Sequence, residues 1–216
     1  EGISVHIGSQ ITSVKPFKKV LSEINKIINK TKINFKFIDL GGGIGISYSK
    51  KEKQINLKKY AKLVNKFLKN KDSKIIFEPG RFIIGNAGIL ITKIIYIKKS
   101  NNRNFIILDA GMNNLMRPAL YNAHHEIVPL KKTGKFLRGN LKFVGPICES
   151  SDKFSNLKIF SKIREGEYIG LLNVGAYGMS LSSNYNTRPT IAEVMVSGSK
   201  HKIIRKRQSL ENLVNN

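Results

Sequence analysis

Three adjacent glycines, Gly41-Gly42-Gly43, close the apolar run Ile38-Asp39-Leu40 and lead into Ile44-Gly45. Residues without a Cβ let backbone N–H groups approach an anion that side chains would hold off, so the chemistry suggested is a phosphate cradle. Neither common phosphate loop fits. Ile46 stands where the dinucleotide pattern Gly-x-Gly-x-x-Gly needs its last glycine, and no Gly-Lys-Ser/Thr follows for an NTPase loop. A second polar cluster, Glu78-Pro79-Gly80-Arg81, also follows an apolar run, Ile75-Ile76-Phe77. Arg81 suits a phosphate or carboxylate through its planar fork.

Further side chains able to do chemistry gather at the ends of strand-like runs: His6, Ser9, Gly43, Glu78, Arg81, Arg117, Tyr121, Cys148, Glu149 and Tyr177. Each has a plain reading as well. A lone Cys is usually a small buried hydrophobe, His6 could simply face inward from a strand, Glu78 could be a surface acid, and glycines could mark tight turns. Metal binding is not expected: His124 and His125 are adjacent, and on a strand they would point to opposite faces. No Gly-x-Ser-x-Gly elbow supports a hydrolase.

The elements that would position these residues alternate in the first half. Ile3–Ile7 reads as a strand, Pro16–Lys30 as a helix with Phe17, Val20, Leu21, Ile24, Ile27 and Ile28 at helical spacing, and Phe35–Leu40 as a strand. Leu57, Tyr60, Leu63, Val64, Phe67 and Leu68 mark a second amphipathic helix, and Lys74–Phe77 a third strand. Strand-helix alternation of this kind predicts parallel strands with helical crossovers, part of an α/β sheet or barrel.

Beyond about Ala87 the runs become short and β-rich: Gly88–Ile97, Phe105–Leu108, Ile127–Leu130, Leu141–Val144, Glu167–Leu172 and Thr190–Val196. Turn-rich pieces such as Ser100-Asn101-Asn102-Arg103-Asn104 and Lys132-Thr133-Gly134 separate them, and Gln208–Val214 suggests a short terminal helix. An all-β module is expected, with the boundary near residue 90 and no flexible linker.

The 216 residues are ample for a packed core, and the formal charge of +24 is the loudest compositional fact. Nucleic acid is the obvious partner for such charge, but the lysines are scattered and only Lys202-Ile203-Ile204-Arg205-Lys206-Arg207 forms a block. The abundance of Lys, Asn and Ile throughout reads as compositional bias, so no nucleic-acid role is expected. Cys148 is the single cysteine, no apolar run approaches the ~20 residues of a membrane helix, and the opening Glu1–Val5 runs straight into a strand. The expectation is a cytoplasmic protein without a membrane partner. The chain reads as if cut from a longer one.

Taken in order, six motifs resemble one family. They are His6-Ile7-Gly8-Ser9-Gln10, Asp39–Gly43, Glu78–Arg81, Asp109–Tyr121 (Asp-Ala-Gly-Met-Asn-Asn-Leu-Met-Arg-Pro-Ala-Leu-Tyr), Gly145–Asp152 (Gly-Pro-Ile-Cys-Glu-Ser-Ser-Asp) and Gly175-Ala176-Tyr177-Gly178. The set is similar to the diaminopimelate decarboxylases, within the alanine-racemase-like (fold type III) decarboxylases that use pyridoxal 5'-phosphate (PLP). The resemblance implies the later strands and helices of a (β/α)8 PLP-binding barrel over residues 1–90. A β-barrel-like C-terminal domain with a short terminal helix would fill 91–216.

It also implies roles. His6 would stack on the cofactor ring. Ser9, Gly43, Pro79, Gly80 and Arg81 would hold its phosphate, with Tyr177 contacting both phosphate and substrate. Glu78 would pair with the pyridinium nitrogen, keeping the ring a good electron sink. Arg81, Arg117, Tyr121 and Glu149 would hold the amino-acid substrate, whose two carboxylates suit guanidinium forks. Cys148 would give a proton to the α-carbon after CO2 leaves. Cys148 and Glu149 would come from the partner subunit of a homodimer with shared sites.

The lysine that binds PLP lies upstream of the His-Ile-Gly-Ser-Gln motif in that family, so the chain reads as a C-terminal fragment, expected to be inactive alone. The reaction implied is conversion of meso-2,6-diaminopimelate to L-lysine and CO2. Its rivals are a sister decarboxylase acting on ornithine, arginine or a carboxylated polyamine, and a non-catalytic relative of the fold.

Overall fold

The computed structural model describes residues 1–49, 52–101, 103–131 and 133–215. Asn102 and Lys132, within two expected turns, lie outside the described residues. The chain forms two compact units, Glu1–Ala87 and Gly88–Asn216.

In the first unit, β1 (Gly2–Ser4), β2 (Phe37–Asp39) and β3 (Lys74–Ile76) form a parallel sheet in that order. Ile3, Ile38 and Ile75 stand in register across it. The crossovers are α1 (Lys15–Thr31) and α2 (Leu57–Leu68). Pro16 sits in the first turn of α1, where its missing N–H costs nothing. Asn56 caps α2 by accepting from the Lys59 N–H at 2.9 Å.

Both helices bury one stripe: Phe17, Leu21 and Ile24 from α1, and Tyr60, Val64 and Phe67 from α2, against Ile38 and Leu40. The Phe17 and Tyr60 rings lie 4.7 Å apart at 52°, and burial pushes the Tyr60 phenol up to about 12. After β3 come the single-turn α3 (Arg81–Ile84) and a 3-10 turn at Gly85–Ala87. The helices match their predicted spans within a residue or two, while the strands are each three residues long. Among the described residues these strands form an open sheet, not a closed eight-stranded barrel.

The second unit is built on β4 (Ile89–Ser100), β5 (Arg103–Leu108), α4 (Arg117–Tyr121), β6 (Ile127–Pro129), β7 (Phe136–Val144), β8 (Lys153–Ser161) and β9 (Tyr168–Leu172). Their six strands make one sheet in the order β6-β9-β4-β5-β7-β8. Strand β4 pairs with β9 through Ile89–Lys93 and with β5 from Ile94 onward, with a register shift between Ile94 and Tyr96. Bulges of this kind bend a sheet. The alternating residues Leu90, Ile94, Ile106, Leu108, Leu141, Phe143, Ile169 and Leu171 enclose one core. The pair β5–β7 is parallel, an exception within an otherwise antiparallel sheet.

A separate ribbon, β10 (Glu193–Ser197) with β11 (Lys200–Arg205), and α5 (Leu210–Val214) complete the chain. Strands β8 and β11 were not anticipated. In β8 the inward-packing residues Phe154, Leu157 and Phe160 recur every third position, where the pairing with β7 shifts register between Arg138 and Leu141 and again between Phe143 and Val144. That spacing hides the strand period of two. In β11 the basic residues mask a strand whose side chains are all exposed.

Candidate active site

In the first unit the motif residues come together at the C-terminal ends of the three parallel strands. Pairing continues beyond the strands proper: the Val5 N–H donates to the Asp39 carbonyl at 3.0 Å, Leu40 to Ile76 at 3.0 Å, and Glu78 to Gly41 at 2.9 Å. The Gly42 N–H points at His6 Nδ1, 3.4 Å away. Asp39 fixes the turn by accepting from Ser4 Oγ at 3.0 Å and from the Gly41 N–H at 2.8 Å.

The glycines serve a purpose the sequence did not suggest. A Cβ on Gly41 would lie 2.5 Å from the Val5 carbonyl oxygen, one on Gly42 2.3 Å from that of Glu78, and one on Gly43 2.2 Å from that of Gly8. Gly41 and Gly43 are also left-handed, with φ of 63° and 85°. The triple glycine therefore lets the segments carrying His6, Gly8 and Glu78 close onto one another. Within the first unit the glycines with open faces are Gly8 and Gly80, where a Cβ would meet nothing within 4 Å.

Arg81 is aimed by two hydroxyls: Nη1 donates to Tyr48 Oη at 2.7 Å and Nη2 to Ser9 Oγ at 3.2 Å. Ser9 and Arg81, predicted to act together, are joined here. Tyr48 is buried and was missed, since it sits in a Ser-rich loop with no periodicity to flag it. The side chains of His6, Ser9 and Glu78 are exposed. An open glycine face at Gly80, a hydroxyl, a guanidinium, an exposed imidazole and an exposed carboxylate form a donor and acceptor set suited to a phosphorylated, protonated aromatic cofactor.

In the second unit the motif 109–121 and the loop 145–152 are tied together by Asp152. Its carboxylate accepts from the backbone N–H groups of Met112 and Ile147, each at 2.7 Å. A Cβ on Gly145 would fall 2.2 Å from Asp152 Oδ2, and one on Gly111 3.3 Å, so both glycines make room for it. Burial pushes the Asp152 carboxyl up, against the pull of those two N–H groups and of Arg188.

The sequence does not announce this clamp, because its partners are backbone N–H groups, one of them 40 residues away. It holds a short loop on which Ile147 is buried while Cys148 and Glu149 are exposed. The exposed thiol answers the plain reading of Cys148 as a core residue. Glu149 accepts from the Tyr185 hydroxyl at 2.5 Å.

Arg117 is buried at the start of α4, and Tyr121, one helical turn on, is exposed. Arg117 Nη1 donates to His125 Nε2 at 2.9 Å, and His125 Nδ1 lies 2.8 Å from the Leu172 carbonyl. With Nδ1–H donating to that carbonyl, Nε2 is left as the acceptor and the imidazole is neutral. His124 and His125 are in the loop before β6, and they face apart: His124 is exposed and His125 fully buried. Among the described residues no group of three or more His, Cys, Asp or Glu could hold a metal ion, and no helix is long and apolar enough to cross a membrane. Tyr177 adopts a left-handed backbone with φ of 59°, unusual for a bulky residue and a mark of local strain.

Residues 16–175 match the sequence profile of the pyridoxal-dependent decarboxylases, in the family described as their C-terminal sheet domain, and the chain belongs to that family. Among its relatives, a diaminopimelate decarboxylase of Aquifex aeolicus is 41% identical over 216 residues, covering 99% of this chain and 51% of the relative. Another, from Vibrio cholerae, is 42% identical over 217 residues, covering 98% and 51%. The chain thus spans about half the length of the curated relatives it matches.

A crystal structure of diaminopimelate decarboxylase from Helicobacter pylori complexed with L-lysine superposes with a TM-score of 0.90 at 39% identity, covering 99% of this chain and 53% of that one. A lysine/ornithine decarboxylase of Vibrio vulnificus, complexed with cadaverine, shares the fold at a TM-score of 0.74 but only 20% identity.

Proposed function

We propose that this chain is the C-terminal part of a PLP-dependent diaminopimelate decarboxylase, a carboxy-lyase converting meso-2,6-diaminopimelate to L-lysine and CO2. On this reading residues 1–90 are the later strands and helices of a (β/α)8 barrel and residues 91–216 the β-rich C-terminal domain. The lysine that binds PLP belongs to an upstream segment. The observation that carries the proposal is the convergence of His6, the triple glycine and Glu78 on one set of strand ends, with Ser9 and Arg81 joined beside them.

PLP, when bound, takes up the electron pair released as CO2 leaves. His6 would lie against its ring, and Glu78 would accept a hydrogen bond from the protonated ring nitrogen, keeping the ring a good electron sink. Ser9, Gly43, the Pro79-Gly80-Arg81 turn and Tyr177 would hold its phosphate. Arg81, Arg117, Tyr121, Glu149 and Tyr177 bind the substrate. Guanidinium groups match carboxylates, of which diaminopimelate carries two. Cys148 Sγ delivers a proton to the α-carbon.

The enzyme is a cytoplasmic homodimer in which Cys148 and Glu149 serve the partner's site. The sequence relatives of about 40% identity favour diaminopimelate over ornithine or arginine, since the decarboxylase of different substrate shares only the fold. Full-length protein incubated with PLP and radiolabelled meso-diaminopimelate should release CO2 and L-lysine. Release from ornithine or arginine in preference, or from none, would overturn the assignment.

A further inference from the structure

The segment 183–188 of the second unit is irregular yet tightly determined. Asn186 and Thr187 are both left-handed, with φ of 58° and 53°. For a β-branched residue such as Thr187 that conformation is strained, and strain survives only where surroundings over-determine it. They do so here. The Ser183 N–H donates to the Asn113 carbonyl at 2.9 Å. Asn184 Nδ2 donates to the Arg188 carbonyl at 2.9 Å and to Gln208 Oε1 at 2.6 Å. Arg188 Nη2 donates to the Asp109 carbonyl at 2.7 Å.

What this held turn presents is Tyr185, whose hydroxyl meets Glu149 Oε1. The ring remains 44% exposed, so burial of apolar surface does not account for its placement. Its phenol is pushed up first by the hydrogen bond to Glu149 and then by the charge of that carboxylate, with Cys148 adding to the effect. Tyr185 therefore stands against Glu149, the residue that follows Cys148 in the loop. A phenol O–H donated to one carboxylate oxygen fixes the torsion of the side chain and leaves the other oxygen for an N–H donor.

We propose that Tyr185 is a positioning residue that aims the Glu149 carboxylate at an ammonium group of the amino-acid substrate. The inference rests on the reading of Glu149 as a substrate contact given above. It adds a residue to that site and predicts a binding effect with little change in the chemical step.

The test compares full-length wild type, Tyr185→Phe, Glu149→Gln and the double variant. Turnover of meso-diaminopimelate is followed, together with calorimetric binding of L-lysine. Removing one hydroxyl from a half-exposed ring leaves the fold intact, which thermal melting checks. Tyr185→Phe should raise KM and weaken L-lysine binding about tenfold, with kcat changed less than about twofold. In the Glu149→Gln background the same change should add less than about twofold.

Unchanged KM and L-lysine affinity in Tyr185→Phe, with wild-type turnover intact, would overturn the inference and leave the reaction standing. A full effect persisting in the Glu149→Gln background would overturn it too, since Tyr185 would then act elsewhere. Wild type that binds L-lysine but releases no CO2 would overturn the reaction, while the binding arm would still decide for or against Tyr185. Wild type that binds no L-lysine would overturn the inference.

Discussion

The carbonyl oxygen of Glu78 occupies the place a Cβ on Gly42 would need, 2.3 Å from its ideal position. The acid segment and the glycine turn are thus in contact through backbone alone, and no side chain can be inserted between them. Gly42→Ala should force the two strand ends apart and destabilise the first unit by about 1–3 kcal/mol, the usual range for overpacking. Gly80→Ala is the control: nothing lies within 4 Å of its Cβ, so stability should change by less than about 0.5 kcal/mol. If the open face of Gly80 receives the cofactor phosphate, the same variant should bind PLP more weakly. Calorimetric melting and PLP titration of full-length protein check both.

Tyr60 gives a pH signature to the first unit. Its folded phenol titrates at about 12 against an ordinary 10.0 because burial disfavours the charged form. The folded state then holds a proton that the unfolded chain releases. Its contribution is complete below pH 10 and is lost as pH rises toward 12, a range of about 2–3 kcal/mol at 1.36 kcal/mol per pH unit. Tyr60→Phe should flatten that part of the stability curve relative to wild type. Denaturant midpoints measured between pH 9 and 12 decide it.

Asp152→Asn replaces a carboxylate oxygen facing a backbone N–H by an amide that must donate. One of the two buried N–H groups, of Met112 or Ile147, would be left without its 2.7 Å acceptor. The expected loss is about 1–3 kcal/mol, read as a fall of several degrees in melting temperature. The loop carrying Cys148 should also become more susceptible to proteolysis. A variant as stable and as protease-resistant as wild type would show the clamp to be dispensable.

Cys148→Ser keeps the shape of the proposed proton donor but replaces a thiol by a far weaker acid. Turnover in the full-length enzyme should fall about 10²–10⁴-fold, the usual worth of a general acid. PLP binding should be unaffected. Equal activity in the serine variant would remove Cys148 from the reaction.

The ordered motifs made the strand ends of the first unit legible, because strand-helix alternation and a triple glycine are local patterns. Both long helices were readable for the same reason, their apolar stripes repeating at 3.6 residues. Asp152, Tyr185, Tyr48 and His125 were not readable. Each acts on a partner distant in the chain, such as Asp152 on Met112 40 residues away, or Arg81 on Tyr48 33 residues away. No spacing rule announces such a pair before the fold brings it together. The triple glycine was noticed but its main physical purpose was not, since crowding by a neighbouring carbonyl is visible only in three dimensions.

One consequence follows from β4, which joins β9 on one stretch and β5 on the next without a break. A single rail shared by both groups of neighbours makes their unravelling a common event. Amide protons of Leu90 and Ile106, on opposite sides of the bend, should exchange with solvent at similar free energies. Deleting Ile95, the extra residue between Ile94 and Tyr96, would remove the bulge and straighten the rail, so both halves should lose their enclosed core together.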